Sequence, residues 1–444
     1  MWLFRFSSWQ DTNRYIRKRK PETLYVYKYH LLNYNDMNSS FLYHAFGVKE
    51  YHYCATAYKD SAIFLKLKTN VTKKCKCPHC GCKYVIKYGV IHRDIHNLPI
   101  GSKQTFLSLT VQRYQCKECG KVVQADIPFT HGSVSYTYRF SHYVLDLLRL
   151  GMTIKDVARH LGVGWDMVKD IHKRYLKQKY SYVNIKKVKR IGIDEFAVRK
   201  GHVYKTIVVD LDTGHIIYVG DGKGSEALDD FWKRVKRHEV EIELVTSDMS
   251  AAYIYSVVTN APNATHVYDK FHVVKLVHEA VDKVRRSIWR QETDLEKRDL
   301  IKGTRWMLLS KNLDKFDDKQ KERFHNILAT NEPLFKAYYL KEDIDQIWMQ
   351  PNKEEAEKQL QYWCDRAKES KLPAMVKCAN SLLAHRTGIL AWYDAKVTNA
   401  ILEGTNNKIK VLKRKAYGYR DDEYFKLLLL GLHDTTVKEL ARND

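Results

Sequence analysis

Apolar and polar positions follow different periods in successive parts of the chain. Short runs that alternate apolar and polar residues fill 60–126, and this period of two is typical of strands. From 139 to 180 the apolar residues recur at helical spacing. Strand-like and helical runs then alternate from 188 to 268, whereas 275 to about 390 is mostly helical and charged. The pattern predicts a multidomain α/β protein with a β-rich N-terminal module and a long helical segment.

Residues 152–176 predict two short helices joined by a turn at Gly162. Thr153 can cap the first helix, and the second begins at Trp165. Two helices joined in this way indicate a helix-turn-helix, whose second helix enters the major groove of DNA. An ordinary helical hairpin is the alternative. The predicted DNA-contacting residues of the second helix are Lys169, Lys173 and Arg174.

Acidic residues stand at the ends of predicted strands in the next part of the chain. Residues 189–195 predict a strand that ends in the acid Asp194, two strands follow as an antiparallel meander, and a helix is expected at 225–238. A strand at 242–247 then leads to Asp248. Three strands, a helix and further strands with acids at their ends are the order of a ribonuclease-H-like fold. In that fold the acids of the first and fourth strands meet on the sheet and, with a third acid, hold two divalent ions about 4 Å apart.

The third acid is expected on a later helix that faces the sheet, and Glu403 is the candidate. Leu402 and Ile409 follow the helical period and are expected to pack inward, with Glu403 on the adjacent stripe. Mg²⁺ is a hard cation that prefers oxygen ligands, so we predict that Asp194, Asp248 and Glu403 hold two Mg²⁺ or Mn²⁺ ions. For any one of these acids alone, a solvated or ion-paired carboxylate is the alternative.

Two further groups accompany these acids. Asp269 and His272 are second-choice catalytic residues: Asp269 could support the metal site, and His272 could touch the scissile phosphate. A buried polar pair that stabilises the start of a helix is the alternative. Basic residues that follow Glu403 are predicted to hold the DNA backbone, a solvated charge run being the other interpretation. These residues are Lys408, Lys410, Lys413, Arg414 and Lys415.

The charge of the chain favours a polyanionic partner. Among 444 residues, 76 Lys+Arg stand against 52 Asp+Glu, a formal net charge of +24. Each phosphate that such a protein neutralises releases condensed counterions, although a basic protein without this partner is the alternative. The longest apolar stretch near the C-terminus, 427–432, is too short to cross a bilayer, and the N-terminus lacks the apolar core of a signal peptide. We expect a cytoplasmic, nucleoid-associated protein with no membrane partner.

Six of the nine cysteines fall between positions 75 and 119. They include two C-x-x-C knuckles, each followed by a glycine that permits a positive φ. Thiols stay reduced in the cytosol, and four thiolates satisfy a tetrahedral Zn²⁺, so we predict a structural zinc site. Unliganded cysteines are the alternative, and Cys75 and Cys82 are alternative ligands. The predicted zinc ligands are Cys77, Cys80, Cys116 and Cys119.

From Met37 onward these motifs resemble the ISL3 family of bacterial insertion-sequence transposases. The cysteine knuckles and the His-Asn-Leu-Pro segment at 96–99 resemble its zinc finger, and 139–180 resembles its helix-turn-helix. Three later segments resemble its catalytic blocks, and a fourth is similar to the C/D-x-x-H signature of related transposases. The three blocks are Gly-Ile-Asp-Glu at 192–195, Thr-Ser-Asp-Met at 246–249, and Leu-Glu-Gly-Thr-Asn-Asn-Lys at 402–408 with Arg-Lys-Ala-Tyr-Gly-Tyr at 414–419. The segment similar to the C/D-x-x-H signature is Asp-Lys-Phe-His at 269–272.

This resemblance implies a DDE-type transposase that binds the terminal inverted repeats of its element. Such an enzyme nicks the DNA to expose 3′-hydroxyls and joins them to target DNA, both double-stranded. Bringing two ends together implies a homo-oligomer, at least a dimer. Two rival hypotheses are a non-catalytic DNA-binding regulator derived from a transposase, and another nuclease of the same fold such as a junction resolvase.

The expected domain boundaries follow from these segments. A leader at 1–36 is of doubtful order and is either a flexible basic arm or an artefact of an upstream start codon. The expected domains are a zinc-binding domain at 37–130, a helix-turn-helix at 138–180, and a ribonuclease-H-like catalytic domain at 187–433 with an all-α insertion at about 287–390.

Overall fold

The computed structural model describes residues 41–69, 76–199, 203–310, 314, 316–397, 400–416 and 418–433. They form two compact units: residues up to Leu150 with Val157–Gly164 belong to the first, and Gly151–Asp156 with the chain from Trp165 onward belong to the second. The leader at 1–36 and Cys75 lie outside the described residues. Within the described part of the chain, no helix is long and apolar enough to span a membrane.

A five-stranded sheet forms the centre of the first unit and confirms the strands predicted between 60 and 126. Its order is β1-β2-β4-β3, with β5 paired to β4, and only the β2–β4 pair is parallel. Ile95, Leu107 and Leu109 pack in its buried core. The elements of this unit include β1 (His52–Lys59), β2 (Ala62–Lys68), β3 (Val85–Ile100), β4 (Lys103–Cys116), β5 (Val122–Gln124) and α1 (Tyr138–Arg149), and residues 41–46 are also helical.

The predicted helix pair forms α2 (Ile154–Leu161) and α3 (Trp165–Tyr180). Thr153 caps α2 as expected, because its hydroxyl accepts a hydrogen bond from the Asp156 amide at 3.2 Å. The second helix was expected to end near 176 but continues to Tyr180. The extra turn is stabilised by packing, since Tyr180 lies in the apolar cluster around Leu176.

A second five-stranded sheet lies in the second unit, with the order β10-β9-β6-β7-β8. The predicted meander is confirmed, since β6, β7 and β8 are antiparallel, whereas β9 is parallel to β6 and β10 is parallel to β9. The strands are β6 (Arg190–Arg199), β7 (Val203–Asp210), β8 (Ile216–Asp221), β9 (Leu244–Ser247) and β10 (Thr265–Tyr268).

The prediction that the first of these strands ends at Asp194 is wrong. β6 continues to Arg199 because Glu195, Phe196 and Ala197 pair with β7. Asp194 therefore lies within a strand, where its backbone is fixed by the ladder on one side.

Helices make up the rest of the second unit, and they confirm the helical prediction for 275 to 390. A 3₁₀ turn at Ser225–Leu228 opens the helix expected at 225–238, and another lies at Ile344–Met349. Trp363 and Leu334 belong to a large helical core. The helices are α4 (Asp229–Arg237), α5 (Ala251–Asn260), α6 (Lys270–Gln291), α7 (Leu295–Ile301), α8 (Arg305–Leu309), α9 (Asp318–Thr330), α10 (Glu332–Asp343), α11 (Lys353–Glu369), α12 (Pro373–Ala384), α13 (Arg386–Leu390), α14 (Trp392–Ala395), α15 (Ala400–Ala416) and α16 (Asp422–Leu430).

The two faces of the second sheet are covered by different helices. Ile193 packs with Phe231 of α4 and Tyr253 of α5 in one core. On the other face, Leu402 of α15 and Phe425 of α16 pack in a second core. Because side chains alternate along a strand, Asp194 points to the face covered by α15, and Glu195 to the face covered by α5.

Candidate functional site

Four cysteine sulfurs form a cluster in the first unit. The Sγ atoms of Cys77, Cys80, Cys116 and Cys119 all lie within 4.8 Å of one another. The Cys77–Cys119 and Cys80–Cys116 sulfur distances are both 3.6 Å. Zn–S bonds of about 2.3 Å in a tetrahedron separate sulfurs by about 3.8 Å. The cluster therefore has the dimensions of a tetrahedral zinc site.

The β3–β4 hairpin explains how knuckles so far apart in sequence meet. β3 leaves from Val85, just after the first knuckle, and the antiparallel register returns Cys116 opposite it. Gly81 and Gly120 have φ values of +73° and +70°, the positive φ that the sequence led us to expect. Each knuckle closes with the same turn, in which the glycine amide donates to the carbonyl of the first cysteine.

Cys82 is not part of the cluster, so its prediction as an alternative ligand is wrong. Its sulfur accepts a hydrogen bond from the Tyr84 amide at 3.2 Å. Cys82 packs in the same small buried cluster as Cys77 and Cys116, but its sulfur is not among the four that lie within 4.8 Å of one another. Cys75, the other alternative, lies outside the described residues.

Three carboxylates line up across neighbouring strands of the second sheet. Gly192, Thr246 and Val267 face one another on β6, β9 and β10. Asp194, Asp248 and Asp269 each come two residues after a member of this row. Parallel strands lie about 4.8 Å apart, so Asp248 and Asp269, just past the ends of β9 and β10, emerge beside Asp194, which lies within β6.

Asp194 is held by two hydrogen bonds. Its Oδ1 accepts from the Glu195 amide at 2.7 Å, and its Oδ2 accepts from the Asn406 side chain of α15 at 2.5 Å. Burial raises the pKa of Asp194, and the nearby Asp269 adds to the effect, whereas His272 opposes it. A partly buried carboxylate surrounded by other acids is an unfavourable place for negative charge unless a cation is present.

Asp248 lies in the turn between β9 and α5. Its Oδ1 accepts a hydrogen bond from the Ser250 amide at 2.9 Å. The preceding Ser247 hydroxyl contacts His266 of β10 at 2.8 Å and ties the two strand ends together. The carboxylate of Asp248 is therefore fixed by the loop that starts α5 and is half-buried.

Asp269 and His272 form a polar pair at the start of a helix, the arrangement given above as the alternative to a catalytic role. Asp269 caps α6 through the Phe271 amide at 2.8 Å, and its other oxygen lies 3.0 Å from His272 Nδ1. The hydrogen bond to Asp269 raises the pKa of His272, and the nearby Asp194 and Asp248 act in the same direction. The pair is thus a helix cap that also lies within electrostatic reach of both predicted catalytic aspartates.

Helix α15 runs along β6. At one end Leu402 covers Gly192, where a Cβ would lie 2.8 Å from a Leu402 methyl carbon. At the other end the Lys413 ammonium donates to the Ala197 carbonyl. The two helix positions are about 16 Å apart along an α-helix, and the two strand positions are about 17 Å apart along a strand. The matching lengths keep helix and strand in contact over this span.

Glu403 lies in the first turn of α15, one turn before Asn406. Residues three apart on a helix are neighbours, with Cβ atoms about 5–6 Å apart. Asn406 touches Asp194, so Glu403 lies one side chain away from that contact. Its own side chain is exposed, and in the described part of the chain no hydrogen bond joins it to Asp194 or Asp248.

Sequence reasoning missed three residues of this site. Asn406 bonds Asp194, and Glu195 accepts a hydrogen bond at 3.0 Å from the buried Tyr253 hydroxyl on the other face. Burial raises the pKa of Glu195, and Asp248 adds to the effect. Two signals were present: Glu195 directly follows Asp194, and Asn406 follows Glu403 at helical spacing.

The predicted DNA-contacting residues differ in their exposure and in their ion pairs. Lys169 and Lys173 of α3 both pair with Asp421 at 3.0 Å, and Lys173 also pairs with Glu423 at 2.8 Å. Arg174 is exposed. On α15, Lys413 is half-buried, which lowers its pKa. The exposed members of the predicted α15 set are Lys408, Lys410, Arg414 and Lys415.

Three segments of the chain match known protein families. Residues 191–429 match the DDE-type transposase family of ISL3. Residues 73–119 match the zinc-finger of transposase IS204/IS1001/IS1096/IS1165, so the four-sulfur cluster is a structural zinc site. Residues 128–176 match the helix-turn-helix domain of transposase family ISL3, which indicates DNA binding.

Whole-chain comparison agrees with these matches. The chain is 31% identical over 383 residues to the transposase for insertion sequence element IS1001 of Bordetella parapertussis, which covers 86% of this chain and 93% of that protein. It is 28% identical over 374 residues to the transposase for insertion sequence element IS1557 of Mycobacterium tuberculosis, which covers 78% of this chain and 83% of the relative. With zinc finger, helix-turn-helix and catalytic region all matched in order, the chain belongs to the ISL3 family of DDE-type DNA transposases.

Proposed function

We propose that this transposase binds the terminal inverted repeats of an insertion sequence, cleaves there to expose 3′-hydroxyls, and joins them to target DNA. Asp194, Asp248 and Glu403 are the proposed ligands of two divalent cations, Mg²⁺ or Mn²⁺. The observation that carries the proposal is the alignment of Asp194, within β6, with Asp248, just past the end of the parallel strand β9, because each lies two residues after the paired Gly192 and Thr246. Helix α15 supports the third assignment, because Glu403 lies one turn before Asn406, which contacts Asp194.

The residues fit hard divalent cations. All three ligands offer carboxylate oxygens, which Mg²⁺ prefers, and the nearby Asp269 adds a fourth acid. Burial of Asp194 beside like charges leaves negative charge that a cation would neutralise. When bound, two such ions supply activation of the attacking water or 3′-hydroxyl and stabilisation of the leaving oxygen.

Each residue has a separate task. Asp194 is held on β6 by two hydrogen bonds, so its carboxylate needs little reorganisation. Asp248 is held by the turn before α5. Asp269 and His272 are second-choice members: Asp269 supports the metal site, and His272 reaches the scissile phosphate. The exposed Glu403 completes the set from α15.

We further propose that the catalytic region, 187–433, has a ribonuclease-H-like fold interrupted by an all-α insertion at about 287–390. An antiparallel meander followed by two strands parallel to its first strand, in the order β10-β9-β6-β7-β8, supports the fold. The helices α7 to α12, which lie between β10 and α15, support the insertion.

DNA is the proposed partner of both units. Arg174 and the exposed basic residues of α15 are the proposed backbone contacts, together with Lys169 and Lys173 once their ion pairs open. Synapsis of two ends requires two active sites, which supports a homo-oligomer of at least two copies. A nucleoid-associated, cytoplasmic enzyme fits this partner.

Cleavage of element-end DNA tests the proposal. The purified protein is incubated with end DNA and Mg²⁺ or Mn²⁺, and compared with the isosteric variants Asp194→Asn, Asp248→Asn and Glu403→Gln. Each variant is expected to lose cleavage by at least about 10³-fold while still binding DNA. Asp229→Asn, an exposed acid on α4, is the matched control and is expected to cut normally.

Two outcomes would contradict the proposal. End-specific cleavage that survives in Asp194→Asn would remove the carboxylate from the mechanism. Specific binding of end DNA by the unmodified protein, with no cleavage in either metal, would favour the non-catalytic regulator instead.

A further inference from the structure

Asn406 makes an unusual contact in the site. Its side-chain amide donates to Asp194 Oδ2 at 2.5 Å, across 212 positions of sequence. Its carbonyl oxygen, Oδ1, is buried and has no hydrogen-bond partner within the described residues. One end of a single amide is thus tightly bonded and the other end is left without a donor.

The amide cannot turn around to relieve this. A cation ligand is an ionised carboxylate, and if the Asn406 carbonyl faced it, two oxygen acceptors would lie 2.5 Å apart with no proton between them, so the N–H end faces the ionised Asp194. A buried acceptor left unpaired costs about 1–3 kcal/mol. Unsatisfied groups of this kind are uncommon in native proteins and mark places where a further molecule binds or strain is retained.

The position of Asn406 is fixed by its helix. Leu402, one turn earlier, is buried against Gly192, and Thr405 and Ile409 are buried on the same side. These contacts hold α15 on β6, so the Asn406 amide is aimed at Asp194 by packing. Its neighbour Asn407 is exposed and faces away from this contact.

We propose that Asn406 is a positioning residue of the catalytic site. Its N–H fixes the Asp194 carboxylate in the orientation that holds a divalent cation, and its carbonyl oxygen accepts a hydrogen bond from a water molecule of that cation. The inference rests on the proposed role of Asp194 as a cation ligand. Groups that orient a ligand in this way typically contribute 10- to 100-fold in metal affinity.

Direct cation binding tests this inference without relying on cleavage. Mn²⁺ binding to the full-length, zinc-loaded protein is measured by electron paramagnetic resonance in the absence of DNA. Asn406→Ala is expected to weaken Mn²⁺ binding by about 10-fold or more. Asn406→Ser, which keeps a shorter donor and acceptor, is expected to fall between Asn406→Ala and the unmodified protein. Gln361→Ala, which removes an exposed amide on α11, is the control and is expected to bind Mn²⁺ within about twofold of the unmodified protein.

A second readout separates positioning from a merely structural contact. In Asn406→Ala, the Mg²⁺ concentration for half-maximal cleavage is expected to rise about 10-fold, while cleavage at saturating Mg²⁺ recovers towards the unmodified rate. If Asn406 were only a structural contact, Asn406→Ala would lower the melting temperature in Mg²⁺-free buffer. The Mg²⁺ concentration for half-maximal cleavage by the protein that remains folded would then be unchanged.

The comparison with Asp194→Asn keeps the two claims apart. If Asp194→Asn weakens Mn²⁺ binding but Asn406→Ala and Asn406→Ser do not, Asn406 is an ordinary polar contact and the inference is overturned. If Asp194→Asn itself leaves Mn²⁺ binding unchanged, the proposed function of the carboxylates fails first.

Discussion

Cys80 and Cys82 are two positions apart but have different partners. The Cys80 sulfur lies 3.6 Å from that of Cys116, whereas the Cys82 sulfur accepts a hydrogen bond from a backbone amide. At the scale of single residues, membership of the zinc site therefore depends on whether a sulfur lies close to all of the other ligand sulfurs, not on burial beside them alone.

Substitution of these cysteines tests the zinc site. Cys80→Ser is expected to lose bound zinc, because a serine hydroxyl is a poor replacement for a thiolate ligand. Cys82→Ser is the matched control and is expected to retain zinc. The measurement is zinc content by elemental analysis after gel filtration. An equal zinc content in the two variants would show that the assignment of Cys80, and not Cys82, as a zinc ligand is wrong.

Helix α15 can lie close to the sheet because Gly192 has no side chain. A Cβ there would lie 2.8 Å from Leu402 and 3.0 Å from Leu211, closer than packed carbons approach. The glycine lets the helix lie close enough for Asn406 to reach Asp194. At the scale of elements, a missing side chain on a strand thus decides where the proposed third acid, Glu403, lies.

Gly192→Ala is expected to destabilise the protein by about 1–3 kcal/mol, because the added methyl overpacks this contact. In a Leu402→Ala background the added methyl loses its two closest contacts and keeps only the one with Leu211, so the same substitution is expected to cost less. Gly404→Ala has no neighbour within 4 Å and, as a helix position, is expected to be neutral or stabilising. Denaturant unfolding is measured for the unmodified protein, the two single variants, the double variant and Gly404→Ala, and additive costs would show that Gly192 and Leu402 do not share a contact.

The ion pairs between α3 and Asp421 neutralise part of the predicted recognition helix. Asp421→Asn keeps the cap of α16 but removes the charge that pairs with Lys169 and Lys173. The freed lysines are expected to add up to two phosphate contacts, steepening the slope of log affinity against log salt by about 2. Asp422→Asn, whose carboxylate pairs away from α3, is the matched control. Identical slopes would show that these lysines stay off the DNA.

The effect of Asp421→Asn on stability is expected to depend on pH. Burial disfavours the Asp421 charge, but hydrogen bonds from the Tyr424 amide and from Lys169 and Lys173 outweigh it and hold the pKa of Asp421 well below its usual range. The ionised group therefore stabilises the fold above the unfolded pKa of about 3.9, and this contribution is lost as pH falls through the lower folded pKa. The stability difference between Asp421→Asn and the unmodified protein is expected to shrink as pH falls from 7 towards 3, measured by urea unfolding. A difference that stays constant with pH would contradict the assignment.

The sequence predicted most elements but not the contacts between distant ones. Strand and helix periods, the Thr153 cap and the cysteine knuckles are local patterns, and they were recovered. The continuation of β6 to Arg199 depends on pairing with β7, and the Asn406–Asp194 bond joins residues far apart in the chain. Such partners are chosen by tertiary packing, which no periodicity within a single segment encodes.

At the scale of the whole molecule, the zinc cluster belongs to the first compact unit and the carboxylates to the second. Removal of zinc with a strong chelator is expected to lower the melting temperature of the first unit, because structural zinc contributes directly to folding. The transition of the second unit is expected to stay where it is. Differential scanning calorimetry with and without chelator measures both, and a shift of the second transition would show that it also depends on zinc.

The distance in sequence between Asp194 and Asn406 has a consequence for synthesis of the enzyme. The zinc ligands, the helix pair and both strand aspartates leave the ribosome before α15 is made. A nascent or prematurely terminated chain that stops before Asn406 therefore carries the zinc-finger and helix-turn-helix segments without the helix that completes the cutting site. Such a fragment also lacks α16, against which α3 packs through Leu176 and Tyr424. The predicted recognition helix and the proposed cutting site therefore both depend on the last helices to be synthesised.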